Sequence, residues 1–521
     1  MHTPDRETFL RLAAKARPGA HIPLVARLMS DQITPVLAYR RLVEPDEREA
    51  PSFLFESVEN GDRQGRYSFV GAQPDLEVIA RGQNVFVRDH RRAAEEHRQV
   101  DDPMAVLQDL AGAQSLLRQE TTPETFVGGW VGFAGYDSVR WTEPDKLAGG
   151  PPDDRHLPDL HFALYRNTAV FDHVQKLLYA VRLVELTGDA EADYERACRD
   201  LSAFVTRLET HKVPLPAGQV SLDLIRTRGE VLTSNLTREA HQAMVERAKE
   251  SIFAGDIFQV VLGQRFERRS QADPFDVYRA MRIVNPSPYM GYLQAPGAIL
   301  IASSPEILCR VHGGVVTNRP LAGTRRRGAT KQEDQALEEE LLADAKERAE
   351  HIMLVDLGRN DVGKVCTKAS IDLPAVMEIE RYSHVMHISS TVTGRLREGL
   401  TSWEALRAAL PVGTVSGAPK IRAMQIIDEL EPCKRGPYGG GFGVVGLDGD
   451  MDIALALRTI VVPTQSRQGE TWMYHLQSAG GIVADSQPGA EYEETVNKAA
   501  AAARSIDLAE AALQGPEAVR A

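Results

Sequence analysis

The chain has 521 residues and a formal net charge of −13, with 43% hydrophobic and 26% charged residues. That balance describes a globular protein with a large core, in two domains or one composite body, and the acidic excess argues against nucleic acid, whose partners present a basic surface. The four cysteines are scattered without C-x-x-C spacing, there is no secretory apolar segment at the N-terminus, and no apolar run is long enough to span a membrane, so a cytoplasmic protein without a zinc site is expected.

In chain order, Phe53–Ser57, Tyr67–Gly71, Leu76–Ala80 and Asn84–Arg88 read as strands of an antiparallel sheet, followed by a Gly-rich strand at Phe126–Gly135 and another strand at Lys176–Leu183. Ala190–Leu208 has helical periodicity. Lys212–Thr233, with Pro214 and Pro216, reads as a linker or connecting strand. The texture then changes. A capped amphipathic helix is predicted at Ala240–Ala254, with strands at Phe258–Phe266, Tyr289–Gln294, Ala298–Ala302 and Ile307–Val311. One long charged helix is predicted over Lys331–Leu357, then helices at Trp403–Leu410 and Lys420–Leu430. Strands at Gly440–Leu447, Met451–Val462 and Thr471–Ser478 precede an Ala-rich helix at Thr495–Ala512. The pattern predicts an α+β protein, with an N-terminal region over 1–210, a connecting segment over 211–236 and a catalytic region over 237–510.

Two glutamate pairs at helical spacing stand out, Glu347 with Glu350 and Glu491 with Glu494. Residues three apart share a helix face, roughly 5–6 Å between β-carbons. Either pair alone reads more readily as a solvated face. Brought together, four carboxylates call for a hard cation, and oxygen donors suit Mg²⁺. Gly441–Gly446 spells G-x-G-x-x-G, but it lies in a strand that turns at Asp448-Gly449-Asp450 into another strand, which excludes a dinucleotide fingerprint. His384 and His387 lack a third ligand for a zinc site, and no cysteine or serine sits in a nucleophile elbow.

A series of blocks carries a more specific signal. They are DIFQVVLGQR (256–265), NPSPYM (285–290), SSPEIL (303–308), RPLAGTRRRG (319–328), KERAEHIMLVDLGRND (346–361), VGTVSGAPKIRAM (412–424), RGPYG (435–439), DIALALRT (452–459) and the stretch 477–494. Through these the chain resembles the chorismate-utilising enzymes, and most closely their anthranilate synthase component I branch. The resemblance implies two facing antiparallel sheets with helices packed outside and the active site in the cleft between them. It implies Mg²⁺ held by Glu350 and Glu494, with Glu347 and Glu491 holding metal-bound water. Gly323, Thr324, Tyr438, Arg458, Ala479, Gly480 and Gly481 would contact chorismate. An arginine such as Arg458 in an apolar strand is costly unless paired, and its guanidinium can fork a carboxylate. Glu306 would be the general acid, with His387 a second acid/base candidate; Thr414 and Lys420 would help line the site.

Two positions separate the branches. Gln259 stands where water-adding members (isochorismate and salicylate synthases) carry a lysine base, which points to ammonia as nucleophile. Ala322 stands where aminodeoxychorismate synthases carry a nucleophilic lysine, which favours direct amination at C2. The resemblance also implies a tryptophan pocket walled by Ser57 and by Pro288, Tyr289 and Met290, and a separate glutamine amidotransferase subunit supplying ammonia in a hetero-oligomer. Two departures from the usual pattern are Ser478, in the block Gln477–Gly481, and Gly291, where an aromatic residue is usual.

Overall fold

The computed structural model describes residues 2–513 apart from 18, 46, 48, 60–62, 211–214, 221–222, 224–232 and 383–384. Most of the expected connecting segment, and His384, lie outside the described residues. Two large sheets dominate, one of 14 strands and one of 12 among the described residues. The pairing is antiparallel almost throughout; the exception is a short parallel contact of Ala20–His21 with Ser115–Leu116.

Both sheets are built from both halves of the chain. In the first, Ser52–Glu59 pairs with Tyr289–Ala295. In the second, Gly129–Ala134 pairs with Gly441–Gly446, setting Gly132 opposite Gly443 and Gly129 opposite Gly446. The G-x-G-x-x-G letters are therefore a site of close strand packing. Alternate side chains of the two sheets meet in an aromatic layer that includes Phe53, Phe55, Phe133, Leu300, Phe442 and Val461. The helices Ala190–Glu209, Pro274–Val284 and Pro488–Leu513 cover the outer face of the first sheet through residues such as Leu201, Phe275 and Ile506. Ala345–Val365 and Ser402–Ala409 cover the second through Val355, Val362 and Leu406. This is the expected α+β arrangement of facing sheets with helices outside.

Several element boundaries differ from expectation, each for a local reason. The N-terminal strands are interrupted by short helices at Arg6–Ala13, Pro35–Leu42 and Pro103–Gly112, each begun by a capping side chain, Asp5, Thr34 or Asp102. The long charged helix is two, Lys331–Ala343 and Ala345–Val365, broken at Asp344. The Asp344 carboxylate accepts the backbone N–H groups of Lys346 and Glu347 and so begins the second helix. The last helix starts at Pro488, earlier than predicted, where proline suits a first helical turn. Glu491 and Glu494 thereby fall near its N-terminus, where the helix dipole favours negative charge.

The predicted strand Met451–Val462 is also two. Met451–Leu455 belongs to the second sheet and Thr459–Pro463 to the first. The chain makes the reverse crossing between Ala298–Ser304 and Ile307–His312. Glu306 sits on one crossing and Arg458 on the other. Arg458 is therefore at a strand break in the left-handed region, φ 46°, rather than inside a strand. The crossings brace each other: the Leu455 N–H donates to the Glu306 carbonyl (3.0 Å) and the Ser303 N–H to the Arg458 carbonyl (3.3 Å).

Candidate active site

Glu306 is buried, and burial pushes its carboxyl up to about 8 against the opposing hydrogen bond from the Thr414 hydroxyl. Thr414 Oγ1 donates to Glu306 Oε1 at 3.0 Å. A carboxyl group that is protonated at neutral pH is equipped to give a proton to a leaving oxygen.

His387 lies on the strand Val385–Arg395, opposite Thr324 on one side and Glu380 on the other. Its Nδ1 is 3.1 Å from the Gly323 carbonyl and 3.0 Å from Thr324 Oγ1. A carbonyl only accepts, so Nδ1 carries the proton and Nε2 is left as an acceptor. Burial and then the Arg458 charge pull His387 down to about 4. The ring is neutral at physiological pH, which suits accepting a proton or a hydrogen bond rather than donating as imidazolium. Gly323 takes φ +69° at a bulge between Ala322 and Thr324, a backbone position that favours glycine. Among the described residues the half-buried Arg458 guanidinium makes no hydrogen bond or ion pair, and burial draws it below its ordinary range. It is a cation in want of an anion.

The four glutamates come from the helices Ala345–Val365 and Pro488–Leu513. The Gln259 amide donates to Glu350 Oε1 at 2.9 Å. Burial first, opposed by that hydrogen bond and helped by the charges of Glu347 and Glu494, holds Glu350 above the usual carboxylate range. Burial and Glu494 do the same to Glu491. Gly480 and Gly481 face this group. A β-carbon on Gly480 would lie 3.3 Å from Glu491 Oε2, and one on Gly481 would lie 2.5 Å from Gln259 Nε2. Tyr438, with its hydroxyl toward the Ala479 backbone, packs with Val261 and Ala479 at the edge of the same wall.

Among the described residues no three His, Cys, Asp or Glu side chains stand close enough together to hold a metal ion. The donor set still fits a hard cation: four carboxylates, of which Glu350 and Glu491 are held above their usual range, oxygen-only chemistry, and a glycine cradle before them. Lys498 and Arg325 currently offset part of that charge. Lys498 Nζ is 2.7 Å from Glu494 Oε1 and 2.8 Å from the Ala479 carbonyl; Arg325 bonds Glu347 at 3.3 Å. The run Arg325–Arg327 reads in the sequence as serving a small anion or a surface ion pair, and Arg325 does pair with carboxylates; Lys498 was not singled out, although Glu494 and Lys498 stand at ion-pair helical spacing. Nor were Glu380 and Tyr382, which only strand register brings to His387. Lys420 is drawn away from the expected lining role by an ion pair with Asp361 at 2.7 Å.

Ser57, Pro288, Tyr289 and Met290 line one cavity of ≈ 470 Å³, together with the rings of Phe55, Tyr67, Phe69 and Phe442. A β-carbon at Gly291 would lie 2.8 Å from the Phe442 ring, so Phe442 and Phe55 occupy the space where an aromatic residue is usual.

Residues 51–504 match the family described as chorismate binding enzyme, and the chain belongs to that family. Among its relatives, anthranilate synthase alpha subunit 1, chloroplastic, of Oryza sativa subsp. japonica is 54% identical over 525 residues, covering 97% of this chain and 91% of that protein. Anthranilate synthase component 1 of Pseudomonas putida is 43% identical, covering 97% and 99%. The crystal structure of anthranilate synthase component I from Streptococcus pneumoniae TIGR4 matches with TM-score 0.72 at 34% identity, over 92% of this chain and 99% of that one. The menaquinone-specific isochorismate synthase of Escherichia coli, at 18% identity and TM-score 0.67, shares the fold over 96% and 98% of the two chains.

Proposed function

We infer that this chain converts chorismate and ammonia to anthranilate, pyruvate and water, the first committed step toward tryptophan. The observation that carries this reading is the wall holding Gln259 beside Glu350 with no lysine at position 322. An amide cannot deprotonate water, and its buried Oε1, without a hydrogen-bond partner, is an acceptor for an N–H of ammonia. Alanine at 322 offers no amine for a covalent adduct, which sets aside the aminodeoxychorismate route.

In the proposed sequence ammonia adds at C2. Glu306 protonates the departing C4 hydroxyl, which leaves as water; the C2 proton is then lost as the C3–O bond breaks, the enolpyruvyl methylene takes up a proton to give pyruvate, and the ring becomes aromatic. Arg458 forks a substrate carboxylate, and the backbone around Gly323 and Ala479–Gly481 supports the ring's anionic edge. Neutral His387 accepts a proton or orients the substrate through Nε2. Mg²⁺, held by Glu350 and Glu494 with Glu347 and Glu491 behind them, would supply the charge that anchors the other carboxylate. The Glu494–Lys498 pair has to open for this, and Lys498 can turn to the Ala479 carbonyl it already touches.

Ammonia is mostly protonated at neutral pH, and none of the four cysteines stands in a nucleophile elbow. A glutamine amidotransferase subunit is therefore proposed as the ammonia source, in a hetero-oligomer. A cytoplasmic setting accords with four free cysteines, though the plant relatives are named chloroplastic; no helix among the described residues is long and apolar enough to cross a membrane. The aromatic-lined cavity at Ser57 and Pro288–Met290 is proposed as an effector site for tryptophan.

Glu350→Gln and Glu494→Gln test the metal assignment. Each should abolish turnover at ordinary Mg²⁺ concentrations. Turnover and Mg²⁺ dependence close to those of the parent chain in both variants would contradict it.

A further inference from the structure

The effector cavity and the reaction cleft share a wall, and one ion pair passes through it. Ile307 lines the cavity while its neighbour Glu306 serves the cleft. Arg319 also lines the cavity, and its Nη2 lies 2.7 Å from Glu380 Oε1, a charge contact without hydrogen-bond alignment. Glu380 is the direct cross-strand partner of His387. The Tyr382 hydroxyl donates to Glu380 Oε2 at 2.7 Å, and the Tyr382 ring stands edge-on to the His387 ring at 5.6 Å. Arg319 thus has one end at the cavity and the other on a carboxylate that faces the cleft.

We propose that Glu380 is a positioning residue for Glu306 and His387, and that Arg319 ties it to the occupancy of the effector cavity. The second half of this rests on the reading of that cavity as a tryptophan site; the first half does not. Among the described residues the groups around Glu306 are few. Thr414 donates to it from the turn Gly413–Val415, and Glu380 and Tyr382 reach it from the hairpin strand Asp372–Arg381 and the residue after it. Among the described residues Glu380 is the one charged neighbour acting on Glu306, and its negative charge favours the protonated form of both Glu306 and His387. Arg319 offsets that charge from the far side. A ligand that engages the Arg319 guanidinium, whose Nε is buried without a hydrogen-bond partner, would loosen its hold on Glu380. The cleft would feel the change with no movement of the sheets.

The signs separate this role from a structural one. If Glu306 must be protonated, activity at a fixed concentration of free ammonia falls as pH rises through its titration. Glu380→Gln removes a negative neighbour and should move that basic limb down by about half a pH unit or more. Arg319→Gln leaves Glu380 less compensated and should move it up. Glu380→Asp and Arg319→Lys keep the charges and should return the limb most of the way. Thermal melts would check that each variant is folded. Limbs that stay at the parental pH in folded Glu380→Gln and Arg319→Gln, or that move in the same direction, would overturn the positioning role.

Tryptophan supplies the second arm, with binding followed by calorimetry and the basic limb by turnover. In the parent, tryptophan should move the limb up, as Arg319→Gln does, and Arg319→Gln should bind tryptophan without a further shift. A limb that tryptophan moves in Arg319→Gln as far as in the parent would overturn the link. Failure of the parent itself to bind tryptophan would instead overturn the effector reading, while the opposed pH shifts would still decide the role of Glu380.

Discussion

At Glu306 two local effects oppose each other, and burial wins. The strand crossing takes the carboxyl out of water, and the single hydroxyl of Thr414 only partly restores what the anion loses. The group is protonated below about 8, so its favourable contribution to stability is complete below the ordinary carboxylate range and is lost as pH rises through about 8. If that proton is the one given to the leaving C4 oxygen, as proposed, catalysis follows the same direction. At fixed free ammonia, turnover should fall through a basic limb near pH 8, and Thr414→Val, which removes the hydrogen bond favouring the anion, should move that limb upward. Glu306→Gln should lower kcat by about 10²–10⁴ while chorismate binding, followed by calorimetry, is largely kept. Its motif marks Glu306 in the sequence as a candidate acid. Its partner Thr414 stood in another motif 108 residues away, and no pattern in the sequence says that the two touch.

Elements deliver these side chains through their ends and breaks more than through their middles. Helices and strands with clean periodicity, such as Ala190–Glu209 and Tyr289–Ala295, were readable because one face is buried. The breaks at Asp344 and at residues 456–458 were not, because good helix or strand formers flank both. Asp344 followed three residues later by Glu347 is a capping signature that a search for periodicity passes over. Nothing local marks Arg458 as the point where the chain changes sheets. Among the elements, the end of the helix Lys420–Leu430 is fixed by a cluster of buried polar contacts. Buried Arg435 donates to Glu431 at 2.6 and 2.9 Å, to the Val415 carbonyl at 2.6 Å and to the Val261 carbonyl at 2.7 Å. This one side chain joins the turn that presents Thr414 to the strand that presents Gln259. Arg435→Met should cost ~3–5 kcal/mol, since Glu431 would be left buried and unpaired. A thermal melt measures it, and a melting temperature like the parent's would mean that the pair is dispensable.

At the scale of the whole molecule, both sheets draw strands from both halves of the chain, so the cleft and the cavity are parts of one body. The strand Ser52–Glu59 contributes Ser57 to the cavity and pairs directly with Tyr289–Ala295, which contributes Tyr289 and Met290. A ligand seated against these two strands is positioned to act on the cleft through the wall that the cavity shares with it. Tryptophan should therefore lower turnover or chorismate affinity, and saturating tryptophan with no effect on either would remove the cavity from the account. Gly291, backed by the Phe442 and Phe55 rings, leaves an aromatic floor in place at a position where glycine would otherwise suggest a hole.

The most direct test is product identity. The purified chain should be incubated with chorismate, Mg²⁺ and ammonium at alkaline pH, with the products resolved and quantified. Anthranilate and pyruvate should appear in equal amounts, and none should form when glutamine replaces ammonium in the absence of a partner subunit. Accumulation of 4-amino-4-deoxychorismate or isochorismate as the main product would contradict the roles given to Ala322 and Gln259, and with them the proposed reaction.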